Sequence, residues 1–465
     1  MIVTDRSRLS STVHHNAPQP IASSTSGGLL VLLGLLSILS ISGTYQGELS
    51  TILGIVALIP AIYAIIRGSH MAVVCILLLF IVPQRGVNEF AYLFHLSPLA
   101  CVGLVVLAYL FHFGFRRKLF TGFWEPAAIF AIMMLGTLMN LDVSVINSGL
   151  MICIALAAIG IGTIRNNGQI RDVAQSILFT GTIIAMVSLL AGTRQGSTAS
   201  AVNPIYFGIN DPNYFGFVVG LSVACALGFL SDLTMRLQWW LRLLMAGSVI
   251  LIIASLSLQG SRSVVVAIAA SFIAFLLLYF RNLPRNRKLL RTLVYIVVIV
   301  IAVCWLILFT PYGAVWLDRF MGSQSESMTT ASNRTIIWNA AFREYLELPV
   351  LQQIFGSGYG ASFNIIGKTA YLPWHMTSAH NMFIAFLLDG GLVSLLLLMV
   401  FFGRLIYRAL FRSCMAPELS LILLVYCITQ GLFLETQRQP EFWCAICLIV
   451  AGVLPRQLEK SVSQI

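Results

Sequence analysis

The chain has 465 residues, of which 58% are hydrophobic and only 10% charged. Soluble domains carry about 25% charged residues, so this composition excludes an ordinary soluble globular protein and points to lipid as the solvent. The formal net charge of +11 invites a nucleic-acid reading, which the placement of the charges along the chain excludes.

In chain order, residues 1–26 are polar and rich in Ser and Thr, predicting a disordered cytoplasmic tail. No cleavage-site pattern follows the first apolar run, so that run is expected to remain as a span. Apolar windows of about 20 residues, enough to cross a bilayer as helix, then recur. They fall at 28–46, 49–66, 70–83, 97–113, 124–140, 145–163, 174–192, 214–231, 240–258, 263–280, 292–310, 381–403, 419–435 and 441–455. The third is short, either tilted, re-entrant or misplaced, which sets the expectation at 12–14 transmembrane helices. Residues 27–310 would hold helices 1–11, 311–380 a large and partly helical periplasmic loop, 381–455 helices 12–14, and 456–465 a cytoplasmic tail. Period-two alternation is absent, so the predicted fold class is all-α, a polytopic integral membrane protein.

With the N-terminus inside, the inner segments hold 20 of the 28 Lys and Arg, densest at Arg116–Lys118 and at Arg281, Arg285, Arg287, Lys288 and Arg291. The outer segments keep Arg85, Arg194, Arg262, Arg319, Arg334, Arg343, Lys368 and Arg438. The bias alternates segment by segment, as positive-inside sorting requires, and predicts both termini in the cytoplasm. The basic excess is therefore a topological signal, not a nucleic-acid footprint. The nine cysteines lie in or beside apolar spans. They read as small buried hydrophobes, including Cys444 and Cys447 at C-x-x-C spacing with no His or Cys partner nearby.

Three outer connections are longer than a turn, and two carry polar constellations. Before the eighth span stands Tyr206-Phe207-Gly208-Ile209-Asn210-Asp211-Pro212-Asn213-Tyr214-Phe215. Amides and a carboxylate between aromatic rings suit sugar hydroxyls and pyranose faces, making Asn210, Asp211 and Asn213 candidate substrate ligands. The plain alternative is an Asx-turn at Pro212 with Asn213 capping the following helix. Arg194 beyond the seventh span and Arg262 at the start of the tenth both break the positive-inside pattern. An arginine at an outer face can grip a phosphate or pyrophosphate through two parallel bonds. Gly260 and Ser261 add backbone donors at a helix N-terminus. The alternative is snorkelling toward lipid phosphate.

In the large loop, apolar residues at 336, 337, 340, 341 and 345 predict an amphipathic helix from Asn333 to Leu348, ended by Pro349. Gly356-Ser357-Gly358-Tyr359-Gly360 predicts a turn that permits close backbone approach. The loop ends in Ser378-Ala379-His380-Asn381 and re-enters the apolar stretch at Met382. An ionisable ring there is costly without a role. An imidazole, with an unperturbed pKa of about 6.5, is a competent general base for a sugar hydroxyl. The alternative is a structural histidine closing the loop. Asp389 lies nine residues on, too far along a continuous helix to touch His380, and reads as structural. Acidic residues outside are sparse and dispersed, and no Walker loop, dinucleotide fingerprint or serine elbow occurs, so neither metal nor cofactor is expected.

Together these residues resemble the bacterial O-antigen ligase and O-antigen (exopolysaccharide) polymerase superfamily. The likeness rests on Arg262 opening a span after Gly260-Ser261, on Arg334 and Trp338 of the loop helix, on glycines 356, 358 and 360, and on His380-Asn381. The superfamily signature is His-Asn, nine residues, then Gly-x-x-Gly. Here Gly391-Leu392-Val393 follows, with Ser394 in place of the last glycine, a departure that bears on packing rather than chemistry. The Asn-Asp-Pro-Asn stretch also resembles the family. The resemblance covers most of the chain in layout and about 60 residues in motif.

The resemblance implies metal-independent transfer of a glycan from undecaprenyl pyrophosphate at the outer face of the bacterial inner membrane, with the pyrophosphate lipid as leaving group. It implies His380 and Arg262 as catalytic residues, His380 as base or acceptor-orienting group and Arg262, with Arg194, on the pyrophosphate. Arg334, Asn381 and Trp338 would contact substrate. Implied partners are the lipid-linked glycan, an acceptor glycan or lipid A–core, membrane lipids, a chain-length regulator and a flippase. The choice between polymerase and ligase turns on the acceptor. In the large loop Arg319, Arg334, Arg343 and Lys368 balance Asp318, Glu326, Glu344 and Glu347. A neutral loop with Trp316, Trp338, Tyr359 and Trp374 favours stacking on a glycan over steering an anionic core, and so a polymerase. A secondary transporter of a small anion is the remote alternative. Transporters usually place ionisable groups near the bilayer midplane, whereas these span centres are nearly free of charge apart from Asp389.

Overall fold

The computed structural model describes residues 124–139, 167–192, 212–231, 239–259, 261–281, 324–368, 378–436 and 440–455. The expected first four spans, the sixth and the eleventh lie outside these residues, as do the two terminal tails.

The described residues form helices and no strand. They are α1 (Trp124–Met139), α2 (Asn167–Gly192), α3 (Pro212–Ser231), α4 (Trp239–Gln259) and α5 (Arg262–Arg281). There follow α6 (Gln324–Glu347), α7 (Val350–Phe355), α8 (Ala361–Gly367), α9 (Met382–Phe411), α10 (Pro417–Gly431) and α11 (Pro440–Gly452). Among the described residues, Ser263–Arg281 and Met382–Phe411 are long and apolar enough to cross a membrane; Trp124–Thr137, Gly216–Ser231, Met245–Leu256 and Pro417–Gly431 are shorter apolar helices.

Two helices outrun their expected limits for the same reason. A hydropathy window sees only apolar sequence, so it misses the polar first turns of α2, from Asn167, and the basic end of α9, to Phe411. Likewise α6 begins at Gln324, nine residues before the expected Asn333, because Ser-Glu-Ser-Met-Thr-Thr carries no apolar stripe for periodicity to detect.

The central helix is α3, which packs against α2, α4, α5 and α10. Small residues let it approach its neighbours closely, the usual solution where lipid supplies no hydrophobic drive between helices. Gly220 faces the Tyr426 ring and Val264, and Gly228 faces Leu419. The buried Tyr426 hydroxyl lies 2.8 Å from the Phe217 carbonyl oxygen and the Ser222 hydroxyl donates to that of Ile177, also at 2.8 Å. Each polar group thus finds an acceptor within the bundle.

Three contacts fix which helix ends share a side. Tyr426 of α10 meets the start of α3, Gln430 of α10 donates to Ser263 of α5 at 3.3 Å, and Asn381 before α9 donates to Leu432 after α10 at 3.1 Å. The starts of α3, α5 and α9 and the end of α10 therefore lie together. At the opposite end Arg404 pairs with the buried Glu125 at 2.7 Å, and Arg281 donates to the Leu410 carbonyl at 3.3 Å. Arg281, Arg404, Arg408 and Arg412 thus belong to the end that the charge bias reads as cytoplasmic.

Helix α9 is broken at Gly391, with φ 69° and ψ −175°. A break frees carbonyls that would otherwise accept within the helix. Those of Leu388 and Asp389 accept instead from the amides of Ser357 and Gly358, at 3.1 and 2.9 Å. The glycine turn of the loop is thus seated in the break. Gly356, Gly358 and Gly360 hold φ of 82°, 104° and 81°, which side chains disfavour. Tyr359 N–H donates to Thr137 Oγ1 of α1 at 2.9 Å, and the Asp389 carboxylate accepts from Ser362 N–H at 2.8 Å. The structural reading of Asp389 agrees with this arrangement.

Candidate active site

His380 closes an extended stretch just before α9. Asn381 is the N-cap: its Oδ1 accepts from the amides of Phe383 and Ile384 at 2.9 and 3.2 Å, satisfying donors that a helix start leaves open. Its Nδ2 holds the Leu432 carbonyl, so both ends of the amide are engaged. His380 has φ 46° and is the one described non-glycine residue at positive φ. Histidine is among the side-chain-bearing residues that tolerate this region best, at a cost the surroundings must meet.

The dipeptide before His380 is held from two sides. Trp338 Nε1 of α6 donates to the Ala379 carbonyl at 2.9 Å. On the other side, Glu435 Oε1 accepts from the Ser378 hydroxyl at 2.9 Å and from Ala379 N–H at 2.6 Å. The His380 amide in turn donates to Ser378 Oγ at 3.3 Å. His380 as a residue is half-buried.

Helix α6 supplies the wall of this site, because its apolar residues recur at helical spacing. Ile337 and Ala341 are buried with Ile366, Ala379, Ile384 and Leu388. That contact turns Arg334 and Trp338, one turn apart, toward the same region. The Arg334 guanidinium lies over the Phe433 ring, 5.9 Å from its centroid, a cation–π geometry. At the far end of α6 the Tyr345 hydroxyl donates to the Gln353 carbonyl at 2.9 Å, and burial pushes its pKa above the usual phenol value.

Arg262 is the first residue of α5, at the same end of the bundle. Its neighbours are fixed: Ser261 and Ser263 are buried with their hydroxyls 3.3 Å apart, and Ser263 Oγ accepts from Gln430. Gln430 stands two residues before Leu432, which receives the Asn381 amide, so a short polar path joins the start of α5 to the His380 turn. Asn213 sits in the first turn of α3, after Pro212 at its first position, inside the helix rather than before it. Arg194, Asn210 and Asp211 lie outside the described residues.

The structure thus brings His380, Asn381, Trp338 and Arg334 together and places the backbone of Arg262 at the same end. It also adds Glu435, which hydropathy absorbed into the end of the thirteenth span. The available signal was a carboxylate ending an apolar run in a chain with only 17 Asp and Glu. Among the described residues no three His, Cys, Asp or Glu side chains gather as a metal cage.

Residues 247–399 match the O-antigen ligase family model. The match supports the O-antigen ligase and polymerase superfamily, whose members are membrane-associated and transfer glycans. It covers about a third of the chain, from within α4 to within α9, and includes Arg262, Arg334, Trp338, His380 and Asn381. A search of curated proteins gives no match.

Proposed function

We propose that this protein transfers a glycan from a polyprenyl pyrophosphate, undecaprenyl pyrophosphate in bacteria, to an acceptor hydroxyl at the outer face of the inner membrane. The observation that carries the reading is the His380 turn, fastened between α6 and the α10–α11 loop at the end where α5 begins with Arg262. His380 takes the acceptor proton or orients the acceptor. Arg262, with Arg194, holds the pyrophosphate, whose departure supplies the driving force. Arg334, Trp338, Asn381, Asn210, Asp211 and Asn213 line the glycan path. Both termini face the cytoplasm.

For the acceptor, the balanced charge and the aromatic residues of the large loop support a second lipid-linked repeat unit, and hence a polymerase of O-antigen or exopolysaccharide. The second reading is ligation to lipid A–core, an activity that the matched family's description names. A gel of surface glycans from a deletion strain separates them. Core carrying a single repeat unit means polymerase; bare core with polymer retained on the lipid carrier means ligase. An unchanged glycan profile together with altered solute uptake would overturn both.

A further inference from the structure

The loop that joins α10 to α11 engages the His380 turn and its flanks repeatedly. The Leu432 carbonyl receives the Asn381 amide, the Phe433 ring carries Arg334, and the Thr436 hydroxyl lies 3.2 Å from Met382 Sδ. Glu435 makes the closest contacts. Its side chain is 0% exposed, and one oxygen accepts both the Ser378 hydroxyl and the Ala379 amide. A carboxylate removed from water is costly unless donors satisfy it. Here both of these donors come from the dipeptide just before His380. The chain of bonds continues, since Ser378 Oγ also accepts the amide of His380, whose φ of 46° is held by its surroundings.

We infer that Glu435 is a positioning residue for the proposed transfer: by gripping Ser378 and Ala379 it sets the backbone of His380 and so the place from which the imidazole meets the acceptor. The inference rests on the role proposed for His380. Glu435 acts as a double acceptor, so an amide oxygen in the same place can do the same work. A methyl group leaves two donors unmet and lets the turn relax. Misplacing a reacting group by about 1 Å is enough to cost about a hundredfold in rate.

The test uses the full-length protein in proteoliposomes, with lipid-linked glycan extracted from a deletion strain as donor. Glu435→Ala is expected to lower kcat by about ten- to a hundredfold while the KM for donor stays within about twofold. Glu435→Gln should keep kcat close to that of the unmodified chain, a rescue that loss of the fold would not permit. Ser378→Ala should give a smaller loss, and Ser378→Ala with Glu435→Ala should be no worse than Glu435→Ala alone, because both act through one clamp. Unaltered kcat in Glu435→Ala, a change confined to KM, or Glu435→Gln as poor as Glu435→Ala would each overturn the inference. Should Glu435→Ala not accumulate in membranes, an unaltered kcat in Ser378→Ala overturns it instead. The unmodified chain and His380→Ala serve as controls. No transfer by the former, or full transfer by the latter, defeats the reading of the site itself, whereas normal controls with an active Glu435→Ala defeat the positioning role alone.

Discussion

The indole N–H of Trp338 donates to the carbonyl of Ala379 at 2.9 Å, which fastens α6 to the residue before His380. Trp338→Phe keeps an aromatic ring and removes that donor. A net hydrogen bond contributes about 1 kcal/mol, so product formation should fall about fivefold if the bond sets the turn. Quantified polymer or ligated product, normalised to protein in the membrane, measures it. A loss seen only in Trp338→Ala, with Trp338→Phe fully active, would mean that the ring matters and the bond does not.

His380→Ala should abolish product while the protein remains in the membrane at its usual level. Arg262→Lys should be severe as well, since a point charge replaces a two-pronged grip; losing one bond to a charged partner costs about 2 kcal/mol, or ~30-fold. Full activity in Arg262→Lys would show that no such grip exists.

At the opposite end, Arg404→Met leaves the carboxylate of Glu125, 1% exposed, without its cation. Breaking a buried pair from one side costs about 3–5 kcal/mol, so the detergent-solubilised protein should unfold at clearly lower temperature. Product per folded molecule should be unchanged, because this pair lies at the end away from His380. A drop in specific activity with an unchanged unfolding temperature would contradict that separation.

Gly391→Ala tests the break in α9. A Cβ there would meet the backbone of Ile354 and Gly356, on a residue already at φ 69°. Strain in that region costs about 1–3 kcal/mol before any clash. The expected result is a fall of several degrees in the unfolding temperature together with loss of product, since the loop seated on the break also carries α6. Gly403→Ala is the control: nothing lies within reach of a Cβ at that position, and its unfolding temperature should hold.

Several features were legible in the sequence because they follow from local chemistry. Twenty apolar residues have few solutions in lipid, so α3, α4, α5, α10 and α11 begin within a few residues of their hydropathy windows. Three glycines spaced by two announced a turn with close backbone approach, and that turn lies against the break in α9. Pro349 is expected to end the loop helix, and that helix stops at Glu347 just before it. Long-range pairing was not legible. Glu435 meets Ala379 across 56 residues, through one side-chain oxygen that leaves no period or spacing behind. Asn381, expected against substrate, also engages its own helix and Leu432, a use that its place beside His380 does not reveal.

The seat of the glycine turn in the break of α9 also determines which part of the chain can be exchanged between relatives as a unit. The amides of Ser357 and Gly358 fit carbonyls that are open only because Gly391 interrupts the helix, and Ser362 fits a carboxylate supplied by the same turn of α9. A hybrid that swaps the segment between α5 and α9 and stops at His380 would press a foreign turn onto a native break. The natural cassette for such an exchange therefore runs past the histidine to Ser394, carrying lock and key together.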